Sequence, residues 1–189
     1  MISFITRNNK GFTLIELIVV LAVFSILSVV VMPRIMNYLS STRDNFLLLT
    51  TTIKKTFDDA FINQHTNFLI LHCDNKESEV SDISSSIFER NNAISVAILD
   101  EKSEFIDSKN KLLKFRQFPD SFSIKEVLLS DGTSYTTGNI FIPFYPSGYS
   151  SSAIIHILIN NDEEWSVTIN PYLREPTVIK GYSTYEEIK

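Results

Sequence analysis

The sequence holds a single cysteine, Cys73, among 189 residues. One cysteine makes no intrachain disulfide and no thiolate cluster for zinc or iron–sulfur. It says little about redox compartment, because thiol-poor secreted domains also exist. Glycine and proline are scarce, with 5 and 6 residues, which excludes collagen-like and low-complexity architectures. Cations are outnumbered: 17 Lys and Arg stand against 22 Asp and Glu, for a net charge of -5. With no basic block in the chain, nucleic acid is not an expected partner. A glycine-rich phosphate loop is missing too. At 44% hydrophobic and 21% charged residues, the chain should fold rather than stay disordered.

Charge is sparsest in one stretch. From Phe12 to Met32 there are 21 residues with one charge, Glu16. As a helix at ~1.5 Å per residue, that run is roughly 31 Å long, about one hydrocarbon core. Residues 1–11 carry Arg7 and Lys10 and no acid, while Arg34 and an Arg43-Asp44 pair follow the run. The bias favours a cytoplasmic N-terminus and a translocated remainder. A secretory signal peptide has an apolar core of ~7–15 residues and a small-residue cleavage site. This run is longer and continues as SVVVMPRIMNYL. A plain single-pass anchor leaves Glu16 unexplained. A carboxylate in an apolar span costs on the order of 2.5–3.5 kcal/mol at the bilayer centre, less near an end, and needs a partner. The nearest cations lie within residues 1–11, unless cleavage creates a new one.

The stretch Lys10-Gly11-Phe12-Thr13-Leu14-Ile15-Glu16-Leu17 resembles the type IV prepilin motif, the class III signal peptide. The resemblance implies that a prepilin peptidase on the cytoplasmic side cuts between Gly11 and Phe12. It implies that the new amine is methylated, so the mature chain starts with N-methylated Phe12. It also casts Glu16 as the family's assembly glutamate and Pro33 as its helix-bending proline. Basic leader, Gly-Phe junction, glutamate and proline all stand in register.

The physics of these residues can be stated separately. Cleavage turns an amide into an amine, cationic near neutral pH. Glu16 can then pair with the Phe12 amine of an adjoining subunit, and a helix stacked at the wrong offset leaves the carboxylate alone in low dielectric. Glu16 can also cap its own helix by accepting from orphan N–H groups; the two roles are compatible. Gly11 offers a protease small, extended backbone. Pro33 cannot donate to the Val29 carbonyl, so the helix bends, melts locally or ends there. Ser25 and Ser28 are candidates to satisfy the freed groups.

Beyond Pro33, the positions Tyr38, Thr42, Phe46, Leu49, Ile53, Phe57 and Ala60 recur at the spacing of one helix face. Lys54, Lys55, Asp58 and Asp59 occupy the rest of the helix surface. From Phe68 the pattern changes to runs rich in Ile, Val, Phe and Thr. These are Phe68–Cys73, Ile94–Leu99, Ser121–Leu129, Asn139–Phe144, Ala153–Ile159, Trp165–Ile169 and Thr177–Lys180. Turn signals separate them at Ser130-Asp131-Gly132, Pro146-Ser147-Gly148, Asn160-Asn161-Asp162 and Asn170-Pro171. Short connections favour antiparallel pairing. The expected fold is α+β: a long N-terminal helix, half transmembrane and half embedded, packed on an antiparallel β-sheet head. The expected organisation is a cleaved basic leader over 1–11, a transmembrane or filament-core helix over 12–33, a head-packed helix over 34–62 and a β-rich periplasmic head over 63–189. Residues 74–92 read as an acidic loop, and 109–115 as a turn with a short strand.

A second resemblance lies in the tail. Ile140-Phe141-Ile142-Pro143-Phe144-Tyr145-Pro146-Ser147-Gly148 ahead of Ala153–Ile159 and Trp165–Ile169 is similar to H-type minor pseudopilins of the type II (general) secretion pathway and to the related FimU-like minor pilins. Asn170-Pro171-Tyr172 departs from that family's glycine turn. Cys73 alone cannot make the head disulfide frequent in FimU-like pilins.

No catalytic residue, metal site or cofactor is expected. His72 and Cys73 adjoin in a strand and point to opposite faces, so they form no nucleophile pair; Cys73 reads as a small buried hydrophobe. Ser147 lacks the frame of a nucleophile elbow. Asp74, Glu77, Glu79 and Asp82 match no calcium-loop spacing and read as solvated, as do Asp100-Glu101, Glu163-Glu164 and Glu186-Glu187. Taken together, the resemblances imply a non-enzymatic minor pseudopilin taking part in protein export. It first sits in the bacterial inner membrane with its head in the periplasm. An inner-membrane assembly platform then extracts it into a filament with other pseudopilins or pilins. The alternatives are a minor type IV pilin serving adhesion, motility or DNA uptake, and a membrane-anchored periplasmic binding module using its sheet edge.

Overall fold

The computed structural model describes residues 13–73 and 87–186, and within its long helix the side chains at 30 and 32–40 lie outside that description. The helix, α1, runs Leu14–Asn63. Its backbone stays helical on both sides of Pro33, so the proline does not end it. Two compact units divide the chain, Met1–Ser41 and Thr42–Lys189, and the division falls inside α1.

Among its described residues the second unit carries eleven strands: β1 Asn67–His72, β2 Ala93–Leu99, β3 Phe105–Asp107, β4 Arg116–Gln117, β5 Phe122–Leu129, β6 Ser134–Tyr135, β7 Asn139–Tyr145, β8 Tyr149–Ser150, β9 Ala153–Ile159, β10 Glu163–Ile169 and β11 Thr177–Lys180. All their pairings are antiparallel. One sheet has six strands in the order β3-β2-β1-β7-β8, with β4 also on β2; the other has five in the order β11-β10-β9-β5-β6. The expected α+β class with antiparallel pairing is therefore what the chain forms, with two sheets in place of one. A single sheet covers one side of a helix. Here Leu69, Ile94, Ile142 and Phe144 of the first sheet and Phe122, Ile155, Ile157 and Val167 of the second meet Leu49, Ile53, Phe57 and Ala60 of α1 in one core. The periodic stripe read from the sequence supplies those four helix residues. Thr52 and Thr56 share the buried surface and donate to the carbonyls of Leu48 and Thr52 at 2.8 and 2.7 Å, so neither hydroxyl is left unmet.

Local chemistry fixes the connections. The β9–β10 hairpin turns on Asn160 and Asn161 at φ 49 and 60°, where two successive positive φ values match the right-handed twist of the strands. Asp162 N donates to Ile159 O at 3.1 Å to close it. The β7–β8 turn uses Gly148 at φ +83°, 3.7 Å from Phe61 for an added Cβ. Ser147 lies within this turn, as its sequence setting suggested.

Asp59, which falls off the apolar stripe in the sequence, is nonetheless enclosed. It is buried, and three amides donate to its carboxylate: Asn63 Nδ2 at 2.9 Å, Asn67 Nδ2 at 2.9 Å and Asn110 Nδ2 at 2.6 Å. One anion thus ties the end of α1 to β1 and to the 3-10 turn Lys111–Leu113. Asp59→Ala leaves the buried Asn67 amide and the amides of Asn63 and Asn110 short of an acceptor and should lower stability by about 2 kcal/mol. Urea denaturation of the mature chain in detergent measures it.

Candidate functional site

The N-terminus of α1 shows how Glu16 is placed. Thr13 precedes the helix. Its backbone N and its Oγ1 both donate to Glu16 Oε2 at 3.4 Å, while Glu16 N donates to Thr13 Oγ1 at 3.3 Å. Leu17 N closes the first turn on Thr13 O at 3.2 Å. This is a capping box, the reciprocal use of a Thr and a Glu three residues on. The side-chain contacts are long for hydrogen bonds, and Oε1 makes none among the described residues. Glu16 therefore caps its own helix with one carboxylate oxygen and leaves the other without a partner among the described residues. Gly11 and Phe12, the expected cleavage and methylation positions, lie outside the described residues.

Thirteen large apolar side chains from Leu14 to Val31 are exposed. They occupy successive positions, so at about 100° per residue they surround the helix. Such a helix presents apolar side chains on every side and has no predominantly polar face. Among the described residues no helical stretch is both long and apolar enough to cross a membrane. The 21-residue apolar run of the sequence, Phe12 to Met32, includes positions outside those described. Ser25 Oγ and Ser28 Oγ donate to the carbonyls of Leu21 and Phe24, each at 2.8 Å. The two serines thus conceal their own hydroxyls within the helix and do not serve the Val29 carbonyl freed by Pro33.

The remaining chemistry-bearing residues form interior networks. His72 is fully buried. Its Nδ1 donates to Asn139 Oδ1 at 2.5 Å, Ser95 Oγ donates to its Nε2 at 2.7 Å, and Asn139 Nδ2 donates onward to Phe88 O at 3.1 Å. Cys73 points the other way, into the shared core, so the two adjacent residues do not meet. Burial pushes its thiol pKa up to about 12, which makes it a hydrophobe rather than a nucleophile. No group of three or more metal-ligating residues exists among the described residues. The acids Asp74 to Asp82 lie outside them.

His72 supplies a pH dependence. Burial lowers its pKa to about 4; the Arg90 charge pushes the same way, against the Asn139 hydrogen bond and Asp107. Burial also lowers His156. The unfolded chain takes up a proton on His72 below about pH 6.5, and the folded chain only near pH 4. The stability from neutral His72 is thus full above about 6.5 and is lost progressively down to about 4. That pKa change corresponds to about 3 kcal/mol. Denaturant midpoints measured from pH 7.5 to 4.5 should fall, with a smaller slope in His72→Gln.

Residues 6–32 match a family model described as the prokaryotic N-terminal methylation motif. The matched segment contains Arg7, Lys10, the Gly11-Phe12 junction and Glu16, so the N-terminal segment carries a prokaryotic N-terminal methylation motif. No curated protein matches the chain in sequence. Two solved structures of the minor pseudopilin EpsH from the type II secretion system of Vibrio cholerae are similar to it. One is 12% identical with a TM-score of 0.43, covering 75% of this chain and 93% of that one. The other is 13% identical with a TM-score of 0.48, covering 78% and 96%.

Proposed function

We propose that the chain is the precursor of a minor pseudopilin, a non-enzymatic subunit of a type II secretion pseudopilus. The observation that carries this reading is the methylation motif over 6–32, with Glu16 in register behind the Gly11-Phe12 junction. Prepilin peptidase removes residues 1–11 and methylates the Phe12 amine. The 21-residue apolar run then holds the subunit in the inner membrane, N-terminus cytoplasmic and head periplasmic. Extraction into the filament exchanges lipid for neighbouring helices. Because both environments are apolar, area burial gives little driving force for the exchange. Selection must come from the one polar element, the pairing of Glu16 with a neighbour's amine. Pro33 gives the helix a bend between filament core and head. A lone, core-buried Cys73 favours the secretion reading over a FimU-like minor pilin, in which a head disulfide is frequent.

N-terminal mass spectrometry of the protein from cells with active prepilin peptidase tests the reading. The expected first residue is N-methylated Phe12. A chain still starting at Met1 would overturn it.

A further inference from the structure

The six-stranded sheet ends beyond β2 on two short strands, β3 and β4, with residues 108–115 crossing between them. Lys109, Lys111, Lys114 and Arg116 fall in this short excursion with no acid among them. The absence of a basic block holds for the whole chain and fails over 109–116. All four side chains are exposed, and none pairs with an acid among the described residues. By contrast, Lys54, Arg90, Lys125, Arg174 and Lys180 each do. Between the cations stand two apolar side chains, Leu112 at 61% and Phe115 at 37% exposure.

The display is fixed from beneath. Leu113 is buried in the core. With Leu113 inward, the 3-10 turn directs Lys111 and Leu112 outward, because its residues lie about 120° apart. Asn110 caps the turn by accepting from Leu112 N at 3.0 Å and donates to buried Asp59 at 2.6 Å. The Arg90 guanidinium lies 4.5 Å over the Phe115 ring and is clamped by both Asp107 oxygens, at 2.8 and 2.6 Å. Residues so held give up little conformational entropy when something binds them.

Among the described residues β4 has one neighbour, β2. Phe118 N donates to Asn92 O at 2.9 Å, so the alternating ladder turns the N–H and C=O of Gln117 toward the open edge. A sheet edge is matched by another polypeptide backbone, which neither a lipid nor a nucleic acid supplies. The cations call for carboxylates, and the exposed Leu and Phe for apolar side chains between them. We infer that residues 109–117 dock an acidic, extended polypeptide segment of a partner protein along the open edge of the six-stranded sheet. This rests on the second unit alone and holds whether or not the chain enters a filament.

The test is fluorescence anisotropy on the full mature chain in detergent, with a labelled peptide of alternating Glu and Val as probe. Binding is expected to weaken about tenfold or more in the variant K109E/K111E/K114E/R116E and at high salt. Phe115→Ala should weaken it several-fold, with an unchanged urea midpoint for both variants. Duplex DNA and phosphatidylglycerol in mixed micelles should compete poorly. Unchanged affinity in the charge-reversed variant, or better competition by DNA or lipid, would overturn the inference. So would self-association of a Lys→Gln and Arg→Gln variant with peptide affinity intact, since the cations would then only guard an edge against aggregation.

Discussion

Glu16→Gln is expected to give a chain that is cleaved and methylated at Phe12, inserts and folds, yet is missing from filaments. In the proposed reading the side chain has two jobs, which this substitution separates. As a cap it accepts from Thr13 at 3.4 Å, and a glutamine oxygen can do the same. As a counter-ion it must be charged, and glutamine is not. In a packed apolar core the neighbour's amine would then stand unpaired. Breaking one side of a buried pair costs about 3–5 kcal/mol, which at about 1.4 kcal/mol per tenfold is a loss of at least a hundredfold in incorporation. Thr13→Ala makes the reciprocal change. It removes the cap, at a cost of about 1 kcal/mol to the helix, while keeping the carboxylate, and should enter filaments nearly as well as the unaltered chain. Co-purification of each variant with sheared filaments reads the difference. Normal incorporation of Glu16→Gln, with loss for Thr13→Ala, would make capping the role that matters.

Gly11→Val should stop the process one step earlier, leaving the precursor intact in the membrane. A protease takes its substrate extended and close to its own backbone. A branched Cβ at the scissile position pushes the carbonyl away from the reacting groups, and misplacement by about an ångström costs about a hundredfold in rate. The mature form should fall by that factor or more. Without cleavage no amine exists at Phe12, so this chain is also excluded from filaments although Glu16 is intact. Gel mobility and intact mass separate the two failures: Glu16→Gln accumulates as mature protein, and Gly11→Val as precursor.

How much of this could be read from the residues depended on distance along the chain. The methylation motif is local, and the Thr-x-x-Glu spacing of the capping box is legible in Thr13 and Glu16. The α1 stripe Leu49, Ile53, Phe57 and Ala60 is also local, and so are β9 and β11, whose observed spans match the runs read from sequence. The partition into two sheets was not legible. It depends on β1 pairing with β7, where His72 meets Asn139, and nothing in either strand names the other. The same register brings Ser95, His72 and Asn139 together from three strands. β3, β6 and β8 are two or three residues long, too short to show alternation, and they form because longer strands offer an edge. Asp59 left a fainter trace. Asn63 follows it at four residues on the same helix face, but Asn67 and Asn110 reach it only through the fold. The cationic stretch at 109–116 was masked by the acidic balance of the whole chain.

In the proposed reading the partner that neutralises Glu16 lies on another subunit, beyond what one chain contains. A cryo-EM map of the assembled filament, resolved well enough to place side chains in its helical core, decides the matter. The expected result is a Glu16 carboxylate within about 4 Å of the N-methylated Phe12 amine of an adjoining subunit. A Glu16 that faces solvent, or stands far from every such amine in an ordered filament containing this chain, would contradict the pairing.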